Sequence, residues 1–343
     1  MSTPLLEAVR RLAGGRGLTA AETAAAVSVI MEGEASEAAI AAFLTALHIK
    51  GETTDELVGA VEAVRARIAP WGLDPPPAGL LDTCGTGGDG AATVNVSTAT
   101  AIVVAACGVP VAKHGNRSAS GNSGSAEVLV ELGIAIEAEA PILHRCLVEL
   151  GITFLFAPRF HPALRFATPV RRQLPFRTLF NLIGPLANPA RPEFQLVGAS
   201  GDHQAELMAQ ALARLGTRRG AVINGGDGLD EVSLDAPTRV RWVEPGRVSG
   251  EVWQPEDFGL PRARAVDLRV SGPADSADRI RRLLAGEPGP VRATVLANSA
   301  SALLVAGQVA TLIEGVEQAA QALDSGAAWR LLERWGRVSR GEA

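Results

Sequence analysis

Four stretches of this chain hold residue types that do chemistry. The first is Asp82-Thr83-Cys84-Gly85-Thr86-Gly87-Gly88-Asp89-Gly90, with four glycines in six residues from Gly85 to Gly90. Such a run lets backbone amides approach a ligand, and a strand before it and a helix after it would aim those amides at an anion such as phosphate. Asn95, Ser97 and Thr98 add donors at the start of that helix. The spacing is neither G-x-G-x-x-G nor a Walker A loop, so nicotinamide and ATP readings lose their main support. The plain alternative is a flexible turn, and Asp89 suits an anion cradle only if the ligand also carries hydroxyls. The second stretch, Lys113-His114-Gly115-Asn116-Arg117-Ser118-Ala119-Ser120-Gly121, continues through Asn122-Ser123-Gly124 to Ser125 with almost no apolar content. Placed as a loop between a strand and a helix, it reads as another anion site or as a solvated surface loop. Two such loops suggest a ligand with two separate phosphates.

The third feature is the adjacent pair Asp230-Glu231, which follows Gly225-Gly226-Asp227-Gly228. Alone it is ordinary surface charge. Beside two phosphate loops it offers oxygen ligands for Mg2+, which binds through one or two carboxylates plus substrate phosphates. The fourth is an arginine-rich stretch, with Arg159, Arg165, Arg171, Arg172 and Arg177 interleaved with Phe160, His161 and Phe166. Arginine pairs bidentately with a carboxylate substrate; a basic and aromatic stretch also suits single-stranded nucleic acid, or simply a solvated helix.

The elements that would position these groups are legible in outline. Thr19 with Glu22, and Thr53 with Glu56, are capping boxes that open helices, and Ile40, Phe43, Leu44 and Leu47 repeat at helical spacing. Residues 1–74 therefore read as a small helical domain, closed by Pro70 and the proline-rich connector that begins at Leu73. From Leu80 onward, short apolar runs end in glycine and alternate with helical patterns: Leu80-Leu81, Val109 to Ala112 and Ala221 to Ile223 as strands, and about 97–107 and 125–132 as helices. That alternation predicts an α/β domain with a mostly parallel central sheet over 75–343. Residues 143–180 have mixed periodicity and are left unassigned.

Composition narrows the function. The chain has 343 residues, 47% hydrophobic and 20% charged, with a net charge of -5, which argues against a general nucleic-acid binder. Its longest apolar run, Ala99 to Ala112, is interrupted and short of a membrane span, and the first residues lack a signal-peptide layout. Cys84, Cys107 and Cys146 have no metal-type spacing, which suits a reducing cytoplasm. Tyrosine is absent, and only Lys50 and Lys113 among 32 basic residues are lysine. Lysine is a compact point charge that fits among converging backbone groups where the arginine fork does not.

Together, GTGGD at Gly85 to Asp89, NVST at Asn95 to Thr98, KHGNR at Lys113 to Arg117, the run Arg177-Thr178-Leu179-Phe180-Asn181 through Gly184-Pro185-Leu186 to Asn188-Pro189, and Asp230-Glu231 resemble the anthranilate phosphoribosyltransferase family. The likeness covers nearly the whole chain, from Lys50-Gly51-Glu52-Thr53 to Asp324-Ser325-Gly326. It implies a Mg2+-dependent transfer of phosphoribosyl from phosphoribosyl pyrophosphate (PRPP) to the amine of anthranilate, a step of tryptophan biosynthesis. It also implies a cytoplasmic homodimer joined through the helical domain, itself completed by helices from about 165–190, with no membrane or nucleic-acid partner. By motif, Gly85, Gly88, Asp89, Thr93, Asn95, Val96, Ser97, Thr98, Lys113 and Ser125 would hold PRPP, with His114, Gly115, Asn116, Arg117, Ser118, Ala119, Ser120 and Gly121 from the second loop. Gly85, Asn116 and Arg171 would contact anthranilate. Ser97, Asp230 and Glu231 would ligate the metal, and Lys113, Asp230 and Glu231 would carry the catalysis, with His114 the nearest general base if one is needed.

The chain departs from the family pattern at Pro175, where glycine is common, and at Asn122, Glu127, Leu164 and Ser276-Ala277. Pro175 lies next to the acceptor segment, so acceptor choice is where a departure would be felt. The rival readings are a related pyrimidine nucleoside phosphorylase, which would not need the Asp230-Glu231 pair, and a non-catalytic nucleic-acid-binding relative, which would be expected to lose that pair and carry a basic surface.

Overall fold

The computed structural model describes residues 3–73, 76–87, 90–118 and 123–342. Gly88, Asp89, Ala119, Ser120 and Gly121 of the expected site, and Asn122, lie outside the described residues.

The chain opens with four helices, α1 (Pro4–Ala13), α2 (Ala20–Met31), α3 (Glu37–Lys50) and α4 (Thr54–Arg65). Both capping boxes form: Thr19 accepts the Glu22 amide at the start of α2, and Thr53 accepts the Glu56 amide at the start of α4. Ile40, Phe43, Leu44 and Leu47 face the bundle interior. One carboxylate ties the bundle together. Glu56 is fully buried, and it accepts the amides of Leu18 (3.0 Å) and Thr53 (2.9 Å) and the ammonium of Lys50 (3.0 Å). Lys50 also donates to the Gly51 carbonyl at 2.6 Å. The loop before α2, the end of α3 and the start of α4 thus meet at one charge.

A seven-stranded sheet follows, in the order β3-β2-β1-β4-β5-β6-β7: β1 (Leu81–Gly85), β2 (Val111–Gly115), β3 (Ile152–Phe156), β4 (Phe194–Gly198), β5 (Arg219–Gly225), β6 (Thr238–Glu244) and β7 (Arg247–Trp253). The first five are mutually parallel and the last two add on antiparallel. The strand order reverses between β1 and β4, so a crevice opens beyond their carboxyl ends, the usual ligand position of such a sheet. Here the structure corrects the sequence reading. β2 does not stop at Ala112; its ladder with β3 continues from Val111↔Ile152 to Gly115↔Phe156. Lys113, His114 and Gly115 therefore stand on a strand and not in a solvated loop, because parallel pairing keeps the backbone extended through them.

On one face of the sheet lie α5 (Val96–Ala106), α6 (Ser125–Glu131), α7 (Ala140–Leu150) and, from the end of the chain, α12 (Pro273–Leu284), α13 (Pro290–Val305), α14 (Leu312–Asp324) and α15 (Ala327–Ser339). The other face carries α11 (Asp202–Arg214) and the helical bundle in one continuous core, with Leu44, Leu57, Ile183 and Met208 among its buried members. The segment left unassigned from sequence contains α7, β3 and the short helices α8 (Ala157–Phe160) and α9 (Thr168–Gln173), and α10 (Phe180–Leu186) begins at its end. Ala167, Val170 and Leu182 of this region pack into the bundle core, and Arg65 of α4 donates twice to the Leu186 carbonyl, at 2.9 and 2.7 Å. Among the described residues no helix is long and apolar enough to cross a membrane.

Removing one partner of a buried charge pair costs about 3–5 kcal/mol, because the other charge stays behind in the core. Glu56→Ala, which strands Lys50 and two amides, is expected to lower stability by about that much. Urea denaturation followed by circular dichroism would read it as a lower midpoint at unchanged slope.

Candidate active site

The site is built around a lysine inside the α/β core. Lys113 is 1% exposed; its ammonium donates to the Thr83 carbonyl at 2.5 Å and to Ser97 Oγ at 3.3 Å. Burial lowers its pKa, and the nearby Asp82, Cys84 and Glu231 oppose that shift. Asp82, on β1, has no exposure and accepts the His114 amide (3.2 Å) and the Asn188 side chain (2.8 Å). Burial raises its pKa against the pull of Lys113. Asn188 also donates to the Ala112 carbonyl at 2.8 Å, so β1, β2 and the chain after α10 are stitched beneath the lysine.

The Asp230-Glu231 pair reaches the same place. Gly87 donates its amide to Asp230 Oδ2 at 2.8 Å, and Ser97, in the first turn of α5, donates its amide to Glu231 Oε1 at 3.1 Å. Gly85 makes room for this: a Cβ there would sit 2.6 Å from Asp230 Oδ2. The structure thus brings Gly85, Ser97, Lys113, Asp230 and Glu231 together from segments far apart in the chain. Among the described residues no group of three or more His, Cys, Asp or Glu is gathered to hold a metal. Two carboxylates and a serine are a donor set suited to Mg2+, a hard cation that keeps water and phosphate oxygens in its remaining positions.

The neighbouring loops are fastened partly by Glu127 and Ser276, which the sequence marks only as departures from the family pattern. Asn95 precedes α5, yet its side chain does not cap that helix. Asn95 Oδ1 instead accepts the hydroxyls of Ser123 (2.7 Å) and Ser276 (2.9 Å), while its amide donates to Ser276 Oγ at 3.0 Å. Glu127 Oε2 accepts the amides of Ser118 (3.0 Å) and Gly124 (2.9 Å), closing the base of the second loop. Gly115 is held close to Ser125, where a Cβ would meet the serine hydroxyl at 2.3 Å. The Asn116 carbonyl accepts Ser125 Oγ and the Ala126 amide, and its Oδ1 accepts the Arg117 amide; Arg117 itself lies over the Phe156 ring. Thr93 bridges to Arg269, whereas Val96 and Thr98 are buried side chains of the α5 start.

The second group of residues surrounds α9 and α10. Arg171 has largely lost its water, which lowers its pKa, and it lies 5.5 Å over the Phe180 ring; no carboxylate pairs with it among the described residues. Arg177 donates to Ser200 Oγ (3.0 Å) and to the Thr86 carbonyl (3.2 Å), joining this group to the first glycine loop. His114 Nδ1 donates to the Gly184 carbonyl at 3.1 Å, and its ring meets His161 edge-on at 5.1 Å. Arg159 turns away, binding the carbonyls of Glu137 and Ala138 and the Glu139 carboxylate. The arginine stretch therefore does not form a single binding strip.

Burial holds both imidazoles neutral: His114 is pushed down to about 3, with His161 adding to the effect, and His161 to about 4. As pH falls below 6.5 the unfolded chain takes up protons that the folded chain refuses until about pH 4. This stability contribution is complete above 6.5 and declines as pH falls from there. His161→Phe should flatten that decline by about one proton's worth of slope, read from denaturation midpoints across the acid range.

Residues 78–329 match the glycosyl transferase family, a/b domain, and residues 6–68 match the helical bundle domain of the same family. The anthranilate phosphoribosyltransferase of Chloroflexus aggregans is 48% identical over 340 residues, which covers 98% of this chain and 99% of that protein. The anthranilate phosphoribosyltransferase of Moorella thermoacetica is 47% identical over 320 residues, or 93% and 94%. Among solved structures, the anthranilate phosphoribosyltransferase of Thermus thermophilus has a TM-score of 0.90 at 41% identity and covers 97% of this chain and 99% of its own. The Saccharomyces cerevisiae enzyme, solved in complex with PRPP and Mg, has a TM-score of 0.89 at 25% identity, with 98% of both chains covered. With matches spanning both the helical and the α/β parts, the chain belongs to the anthranilate phosphoribosyltransferase family.

Proposed function

We propose that this chain transfers the phosphoribosyl group of PRPP to the amine of anthranilate, releasing pyrophosphate, as a cytoplasmic homodimer joined through its helical domain. That domain would be residues 1–74, completed by the helices within about 165–190, against a donor-binding domain of 75–343; the shared bundle core and the Arg65 to Leu186 hydrogen bonds support this division. The observation that carries the functional reading is the meeting of a buried lysine, a helix start and two carboxylates at the reversal point of the sheet.

In this reading the first glycine loop, from Gly85 through Gly88 and Asp89, binds the donor together with Thr93, Asn95, Val96, Ser97 and Thr98. Lys113, His114, Gly115, Asn116, Arg117, Ser118, Ala119, Ser120, Gly121 and Ser125 take its other charged end. Ser97, Asp230 and Glu231 would hold Mg2+, which when bound neutralises diphosphate charge. Lys113 adds a fixed positive charge where the leaving group gathers negative charge, and it is already oriented by Thr83 and Ser97, so little reorganisation is needed. Arg171 has no carboxylate partner among the described residues and is the natural fork for that of anthranilate. With Asn116 and Gly85 it would hold the amine in line with the ribosyl carbon, replacing a bimolecular encounter by a positioned one. His114, donating through Nδ1 to Gly184, is buried and held neutral with its pKa pushed down to about 3, so it ties β2 to α10 and is not the base for the amine proton.

Loss of anthranilate fluorescence that requires both PRPP and Mg2+ tests the activity itself; no loss with both present would overturn it. Asp230→Ala with Glu231→Ala is expected to abolish turnover while leaving the circular dichroism unchanged, and retained Mg2+-dependent activity would refute the metal assignment. A hydrogen-bonded charge contributes about 1.5–3 kcal/mol, so Arg171→Ala should raise the anthranilate KM by about 10–100-fold. The PRPP KM should hardly move; the reverse pattern in steady-state kinetics would relocate the carboxylate clamp.

A further inference from the structure

The carboxylate pair reaches the first glycine loop on a short excursion after β5, and a loop carrying two adjacent negative charges has reason to swing toward solvent. Of two features outside that excursion, one gives the loop room to sit inward and the other holds it there. Gly198, the last residue of β4, faces the Asp230 main chain so closely that a Cβ would lie 1.6 Å from the Asp230 carbonyl oxygen and 2.6 Å from its carbon. Both are backbone atoms, which no side-chain rotation can relieve.

From the opposite layer, Asn298 of α13 grips the next residues. It is completely buried; its Oδ1 accepts the Val232 amide at 3.0 Å and its Nδ2 donates to the Val232 carbonyl at 3.4 Å. The same Nδ2 donates to the Thr294 carbonyl at 2.9 Å, so the amide is held by its own helix before it meets the loop. Asn298 also lines, with Thr83, Ser97 and Glu231, a narrow crevice beside the carboxylates. The far end of the excursion is pinned independently: Ser233 donates its hydroxyl to Asp227 at 2.6 Å and its amide to Thr238 at 3.0 Å.

We infer that Asn298 and Gly198 are positioning residues that set the Asp230-Glu231 carboxylates before donor or cation arrives, Asn298 by clasping the Val232 peptide and Gly198 by admitting the Asp230 carbonyl. The inference rests on the assignment of that pair to Mg2+. Neither residue touches the reacting atoms. A side-chain amide that pairs with both polar groups of one residue fixes its rotation as well as its position, and supporting contacts of this kind typically change metal affinity by about 10–100-fold.

The test is calorimetric titration of PRPP into the full-length chain over a series of Mg2+ concentrations. It compares the wild type, Asn298→Ala and the Asp230→Ala/Glu231→Ala double variant, with circular dichroism on each. Asn298→Ala is expected to fold and to need about 10–100-fold more Mg2+ for the same PRPP affinity, with the PRPP KM raised and the anthranilate KM unchanged. Wild-type Mg2+ linkage in Asn298→Ala, beside its loss in the double variant, would overturn the inference and leave the metal assignment standing. Wild-type linkage in the double variant would remove the metal assignment and this inference with it. Should Asn298→Ala not fold, amide hydrogen exchange on the wild type without Mg2+ or PRPP decides: protection at Val232 supports a preset pair, and exchange at the rate of an open loop overturns it.

Discussion

A lysine ammonium enclosed by protein is the constraint on which the rest of this site depends. Lys113 is shielded from bulk solvent, so the fold must supply both hydrogen-bond acceptors and opposite charge. Thr83 and Ser97 supply the acceptors, while Asp82 and Glu231 supply the charge. They lie on three segments, β1, the start of α5 and the loop after β5, so satisfying this one group on β2 fixes all four relative to one another. Asp82 is the least conspicuous of these and the most deeply held, with Asn188 and the His114 amide on its two oxygens.

The reversal of strand order between β1 and β4 explains why these segments can meet. Parallel strands all end on the same edge, and where neighbouring connections diverge no helix closes the gap above them. Gly85 and Gly198 are paired across that gap in the β1–β4 register, and Asp230 descends between them. The α9–α10 region, where the acceptor is proposed to bind, is coupled to the same edge through Arg177 on Thr86 and His114 on Gly184. The proposed donor and acceptor regions thus share hydrogen bonds, and a shift of α10 would be felt at both.

Two departures from the family pattern acquire physical content here. Ser276 is fully buried and exchanges hydrogen bonds in both directions with Asn95, so this position reaches the proposed donor side from α12. Next to Pro175, Phe176 stacks on His48 of α3 at 4.2 Å and 15°. The segment between α9 and α10 is therefore clamped to the helical bundle by a ring pair, beside the arginine expected to meet the acceptor.

Local signals were enough for much of this protein. Capping boxes at Thr19 and Thr53 depend on neighbours three residues away, and the helical spacing of Ile40, Phe43, Leu44 and Leu47 depends on a single helix face; both were readable and both formed. The glycine-rich motif, the Lys113 stretch and the Asp230-Glu231 pair were likewise visible as chemistry-bearing residues. Their meeting, the extension of β2 through Lys113, and the roles of Asp82, Asn188 and Asn298 were decided by the tertiary structure alone. Those roles rest on contacts such as Val232 with Asn298, 66 positions apart. The physical reason is that a hydrogen bond between distant segments leaves no periodicity in the chain: a buried asparagine reads like any other until the sheet brings its partner to it.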